Sequence, residues 1–197
     1  MKLNKNIVGL SLLFLITMQS GCRKKNDPTY IPENVKSYTV FQVGSYWIFK
    51  NEVTGSIDST YISEAPHYFF NGDEYIPPYA EACAVRYGGA ILSVSMVSPG
   101  GVDLWFLNGT YCQCLQFYND PPGANSNFTN IKTFDSLEVN NKYYHEVINT
   151  ESRIRFANGD TLFYTFYIAK SVGIIKLDKR KNEFDTTWSL IRSHVVQ

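Results

Sequence analysis

From residue 38 to the end of the chain, apolar and polar residues alternate, and Gly, Asn and Pro interrupt the alternation at short intervals. A period of two puts every second side chain on one face of an extended strand, whereas a helix needs a period near 3.6. No stretch holds helical periodicity for three turns, so the apolar residues must be buried on a sheet. The interruptions have hairpin chemistry. Asn71-Gly72-Asp73, Gly88-Gly89, Asn108-Gly109, Asn140-Asn141 and Asn158-Gly159 each separate two alternating runs. Asn and Gly accept the positive φ angles that tight hairpins require. The clearest strand signals are Val43–Lys50, Ser56–Ser63, 82–87, 90–97, Asp103–Leu107, Thr110–Tyr118, Ser136–Val139, Lys142–Asn149, Ser152–Phe156, Thr161–Ala169, Gly173–Leu177 and Thr186–Val195. The expectation is an all-β chain: a single antiparallel sheet domain of about a dozen strands, curled into a half-barrel or packed as a sandwich, with little helix. A short helix has room only in 31–37 or 77–84. Residues 119–130, NDPPGANSNFTN, read as one long loop, because two prolines, a glycine and several amides do not build a strand.

Fourteen Tyr, 13 Phe and 3 Trp fit this class, since aromatic side chains pack well on a pleated surface. The same surplus could line a groove for a glycan or an apolar ligand. Charge excludes one class of partner. The whole chain is formally neutral, and without Lys2 and Lys5 it carries 16 basic against 18 acidic groups, so there is no electrostatic footprint for nucleic acid.

The N-terminus has its own pattern. Residues 1–6 carry two lysines, residues 7–18, IVGLSLLFLITM, are almost wholly apolar, and Gln19-Ser20-Gly21-Cys22 follows. A charged start, a short apolar run and small residues before a cut describe a secretory signal. The apolar run is too short to span a bilayer, which takes about 20 residues. Ser20-Gly21-Cys22 resembles the lipobox of bacterial lipoproteins, with Gln19 in place of the usual aliphatic residue. The resemblance implies that residues 1–21 are removed and that Cys22 carries a diacylglyceryl thioether and an acylated amine. Several acyl chains anchor a protein durably where one does not. Residues 22–37 then form the lipidated cysteine and a polar tether, and 38–197 the β-rich domain. The cluster Arg23-Lys24-Lys25 suits either a solvated linker or contact with anionic headgroups.

Two patches resemble a large group of Bacteroidetes-type lipoproteins of unknown function. The first is Tyr38-Thr39-Val40-Phe41-Gln42-Val43-Gly44-Ser45-Tyr46-Trp47-Ile48-Phe49, like their VGxYW opening. The second runs from Leu137 to Ile191 and holds Tyr143-Tyr144-His145-Glu146-Val147, then Tyr167-Ile168-Ala169-Lys170-Ser171-Val172-Gly173-Ile174-Ile175-Lys176, then Trp188-Ser189-Leu190. Here Asn141 stands where the family usually has Gly. No catalytic role comes with this resemblance. It implies a cell-envelope, outer-membrane address, and some relatives resemble the half-open barrel of lipoprotein carriers. Acidic residues after the lipidated cysteine mark surface export in such lipoproteins. The basic residues here point instead to a periplasm-facing protein. Asp58-Ser59, Asp135-Ser136, Asp160-Thr161 and Asp185-Thr186 resemble the acceptor pattern of Bacteroidetes-type O-glycosylation, which marks Ser59, Ser136, Thr161 and Thr186 as candidate sites. Asp ending turns and Ser or Thr opening strands produces the same pattern.

Apart from Cys22, three cysteines remain. Cys112 and Cys114 lie two apart in a strand and share a face, so a bond between them is strained. Cys83 with either would close a loop of about 30 residues; buried thiols are the competing reading. Zinc wants four ligands, and no histidine sits at short ligand spacing to these cysteines. His145-Glu146 is not a helical H-E-x-x-H, and the chain has no nucleophile elbow, P-loop or dinucleotide fingerprint. His67, His145 and His194 read as surface or strand-edge residues, and Asp73-Glu74 as a solvated turn. The expected function is that of a lipid-anchored envelope lipoprotein with a non-catalytic binding or structural role. It has no catalytic residues, metal or cofactor, and it meets the membrane through Cys22. One alternative is a carrier of an apolar or glycan ligand in an aromatic-lined cavity. A hydrolase site assembled from loops is the other.

Overall fold

A computed structural model describes residues 28–70, 80–89, 92–98, 101–106, 111–116, 128–155, 159–181 and 184–197. Among the described residues one helix, α1 (Glu33–Thr39), precedes the strands β1 (Tyr46–Asn51), β2 (Ile57–Glu64), β3 (His67–Phe70), β4 (Ala80–Gly89), β5 (Leu92–Ser98), β6 (Gly101–Phe106), β7 (Tyr111–Gln116), β8 (Phe128–Val139), β9 (Lys142–Arg155), β10 (Thr161–Ala169), β11 (Gly173–Lys181) and β12 (Phe184–His194). The fold is all-β with little helix. The strands make one antiparallel sheet in the order β7-β6-β5-β4-β2-β1-β12-β11-β10-β9-β8, and β3 pairs with β4 alone. The sheet is not closed by a ladder into a barrel, although the backbone of β7 comes within 8 Å of β8 and β9.

Alternation becomes two faces. In β10 Leu162, Tyr164, Phe166 and Ile168 are buried while Thr161, Phe163, Thr165 and Tyr167 are half-buried on the other side. The same rule puts Trp47 and Phe49 of β1, Ile175 and Leu177 of β11 and Leu190 of β12 on the inner face. Burial of such side chains stabilises by about 2 kcal/mol each. Trp47 meets Phe41 edge-on at 5.4 Å and donates its indole N–H to the Val172 carbonyl at 2.5 Å. Trp188 is only half-buried and donates to Asp58 at 3.0 Å.

Several expectations hold, and several are corrected. Asn140 and Asn141 have φ of 51° and 60° and turn β8 into β9, the local geometry of a hairpin with two left-handed residues. Gly88 and Gly89, however, are not a turn: they belong to β4 and pair with Tyr61 and Thr60 of β2. The long loop ends earlier than read, because Phe128–Thr133 joins Ser136–Val139 in one strand along β9. The two runs on either side of Thr150 are likewise a single strand, β9, despite its polar centre. Residues 71–79, 107–110 and 117–127 lie outside the described residues, so the Asn71-Gly72-Asp73 and Asn108-Gly109 turns do too.

The tether needs the largest correction. From Thr29 onward it is part of the folded unit. Thr29 bridges Ala80 in parallel and accepts a hydrogen bond from the Glu81 amide at 2.8 Å. Ile31 and Val35 are core residues, 1% and 4% exposed. The helix starts after Pro32, whose carbonyl accepts from the Val35 and Lys36 amides, and Glu33 suits the positive end of its dipole. It stops when Val40 turns extended and hands the chain to Phe41. The segment is too short for helical periodicity to stand out, since only two of its residues face the core.

Gly89 tests the β2–β4 junction. Its φ is +115°, and a Cβ there would lie 2.0 Å from the Ser59 carbonyl oxygen. Gly89→Ala is expected to lower stability by about 2 kcal/mol or more. The measurement is the urea midpoint; a midpoint equal to the parent's contradicts this packing.

Candidate functional site

The N-terminal segment is held by one buried carboxylate. Glu81 lies on β4 with Cys83 and Val85 on the same face, by period two. Its side chain is 3% exposed and accepts three hydrogen bonds: from the Ile31 amide at 2.6 Å, Lys36 Nζ at 3.0 Å and His67 Nε2 at 2.5 Å. The donors arrive from three different places, the extended segment, α1 and β3. A buried charge without partners would be very costly, so this convergence is what allows a carboxylate at the position. Burial pushes the Glu81 carboxyl upward, but the Lys36, His67 and Ile31 donors outweigh it and hold the group below its ordinary 4.5. Lys36 is affected in the opposite sense. Burial pulls it down, and hydrogen bonds to Glu33 and Glu81 lift it above its usual value.

Cys83 sits opposite His67 in the β3–β4 ladder, so a thiol, an imidazole and a carboxylate share one neighbourhood. The combination does not make a nucleophile. Cys83 is a free thiol, 2% exposed, and burial together with the nearby Glu81 charge raises its pKa, which suppresses the thiolate. The Cys83 disulfide is therefore corrected to a buried thiol. Its ladder runs through Val97 and Val102 to Leu115, so three strand spacings of about 4.8 Å separate it from β7, and a disulfide needs Cα atoms within about 7 Å. The side chains of Cys112 and Cys114, and all of Cys22, fall outside the described residues.

A second polar constellation lies on the outer face of β10–β12. The register aligns Thr165, Asp178 and Thr187 in one row, Tyr167, Lys176 and Ser189 in the next, and Phe163, Arg180 and Asp185 in a third. The rows border a cleft of about 280 Å³. Asp178 organises it, pairing with Lys176 at 3.2 Å and accepting from the Thr187 hydroxyl at 2.7 Å. Lys176 lies 4.9 Å from the Tyr167 ring centre, and Arg180 lies 4.6 Å from that of Phe163, so cations cover the half-buried aromatics. The cleft offers fixed donors and acceptors of both signs, with no unpaired buried nucleophile among its lining residues.

The other candidates disperse. Ser59 and Ser136 are exposed on β2 and β8, Thr161 is half-buried on β10, and Thr186 lines the cleft. His145 is exposed on β9, and His194 stacks on Tyr46. Among the described residues no three His, Cys, Asp or Glu side chains converge as metal ligands. Sequence reasoning passed over Glu81 and Lys36. The available signal was a lone carboxylate inside the small apolar run Ala80–Val85, which demands a buried partner wherever such a run forms a strand. No family model, no curated protein and no solved structure matches the chain.

Because the folded-state pKa of Glu81 is depressed, its contribution is complete above about pH 4.5 and is lost as pH falls through the folded value. Glu81→Gln should lose about 2 kcal/mol at pH 7, where Lys36 is left without its buried partner. The variant should also show a flatter decline of urea stability than the parent as pH falls below about 4.5, because it lacks the carboxyl whose pKa is depressed on folding. Parallel declines for the two proteins would contradict the assignment.

Proposed function

We propose that the chain is a lipid-anchored lipoprotein of the cell envelope whose folded region binds or scaffolds rather than catalyses. The anchor is supported by the apolar dozen at 7–18, the Ser20-Gly21-Cys22 pattern and the resemblance to Bacteroidetes-type lipoproteins. The non-catalytic reading is carried by one observation: the described groups that most resemble catalytic parts are used to hold the fold together. His67 and Glu81 clamp the N-terminal segment, and Cys83 beside them is buried and hard to ionise. A hydrolase would need an accessible nucleophile at such a place.

The leash from lipid to domain is short. Seven Cα steps separate Cys22 from Thr29, at most about 25 Å of fully extended chain. The domain therefore works close to the membrane surface, where Arg23, Lys24 and Lys25 meet anionic headgroups. The sheet is a curled half-barrel of about a dozen strands. The approach of β7 to β8 and β9, at opposite ends of the strand order, supports the curl, because a flat sheet would keep them tens of ångströms apart. The ligand is a glycan or an apolar molecule, and the protein faces the periplasm.

Metabolic labelling with palmitate in the native host tests the anchor. The parent protein is expected to take up label and partition into detergent, and Cys22→Ala to do neither. An unlabelled parent ends the lipoprotein reading.

A further inference from the structure

On the outer face of β2, β1 and β12, the register places Tyr61, Tyr46 and His194 side by side. Tyr61 is 51% exposed, Tyr46 is half-buried and His194 is exposed. Tyr46 and His194 stack at 5.7 Å between ring centres with planes 29° apart. Tyr61 leans the other way, across to β4. There its ring occupies the space where Gly88 would carry a side chain: a Cβ on Gly88 would fall 2.3 Å from Tyr61 Cζ. The glycine leaves room for the ring to pack over the β4 backbone, and about half of Tyr61 remains exposed. Arg192 adjoins the strip, its guanidinium 5.9 Å from the Tyr46 ring centre. Among the described residues no carboxylate comes within 4 Å of Arg192 or His194. Three acidic groups at or near the ends of β1 and β2 have partners of their own. Glu64 pairs with Arg86, Glu52 with Lys50, and Asp58 is taken by the Trp188 indole.

An exposed ring seated over Gly88, a second ring beside it and a guanidinium with no carboxylate partner among the described residues form a defined recognition pattern. A sugar ring has an apolar C–H face and a polar rim, so it lies on an aromatic plane with little loss of hydration. An unpaired guanidinium offers a planar fork that matches a carboxylate. From the Tyr61 ring at β4 to Arg192 on β12 the strip crosses three strand spacings, about 14 Å, longer than one sugar ring. We propose that it binds a carboxylated sugar chain of the uronic acid type, with a sugar ring on Tyr61 and the carboxylate on Arg192. The proposal rests on the reading of the chain as a binding protein and names the ligand class. It does not depend on the lipid.

The test is calorimetric titration of the full chain in detergent with a galacturonate oligosaccharide and with the same oligosaccharide after carboxyl reduction. The acidic oligomer is expected to bind at least tenfold more tightly than the reduced one. Tyr61→Ala and Arg192→Ala should each weaken it tenfold or more with urea midpoints near the parent's. Arg192→Lys should recover only part of the loss, and Tyr143→Ala, an exposed tyrosine on β9, should bind as the parent does. No binding by the parent, equal binding of the reduced oligomer, or parental affinity in both Tyr61→Ala and Arg192→Ala overturns the proposal. Palmitate labelling is read separately, so a failed anchor and a failed glycan site give different results.

Discussion

The ladder between β1 and β12 joins Tyr46–Asn51 to residues about 140 positions later, and the continuity of the sheet rests on it. Remove it and β7-β6-β5-β4-β2-β1 parts from β12-β11-β10-β9-β8. Closing a loop of that length costs about 4 kcal/mol in chain entropy. Trp47, Phe49 and Leu190 become buried at this junction and contribute about 2 kcal/mol each, which exceeds the closure cost. The helix and Phe41 are drawn in with them, since Phe41 packs on Trp47 and the Gln42 amide bonds to the Val196 carbonyl.

Glu81 extends the same logic to the N-terminal segment. One carboxylate receives a backbone amide, a lysine and a histidine from three parts of the chain, so the arrangement is specific in a way that apolar contact is not. The polar residues of the fold then divide by face. Toward the core they close the structure, as Glu81 and the Trp47 indole do. On the outer face, Asp178, Lys176 and Thr187 build the cleft, while Arg192, Tyr46 and Tyr61 build the aromatic strip.

How far the fold could be read depended on how local its cause was. Thr161–Ala169 is a strand in both readings because nine residues alternate without interruption. Asn140-Asn141 is a turn in both because two asparagines in the left-handed region leave few other options. The same reasoning misplaced Gly88-Gly89, where glycine serves close approach to β2 and Tyr61 instead of a reversal. It also cut β9 in two at Thr150, because a polar residue inside a strand resembles a break until the strands on either side are known. Of the candidate site, the exposure of Tyr61 and the placement of Arg192 beside Tyr46 left no trace in spacing, and Lys36 and Glu81 stand 45 residues apart.

Period-two patterning and Asn- and Gly-based turns were enough, by themselves, to determine an antiparallel all-β chain with little helix. Those features act between neighbours along the chain, and side-chain alternation is a direct consequence of extended backbone. Tertiary structure alone decided that β12 lies between β1 and β11, that residues 29–39 pack into the core, and which polar groups meet at Glu81, Asp178 and Arg192. Each of these depends on burial and pairing between residues far apart in sequence. Their free energy exists only once the intervening chain has closed around them.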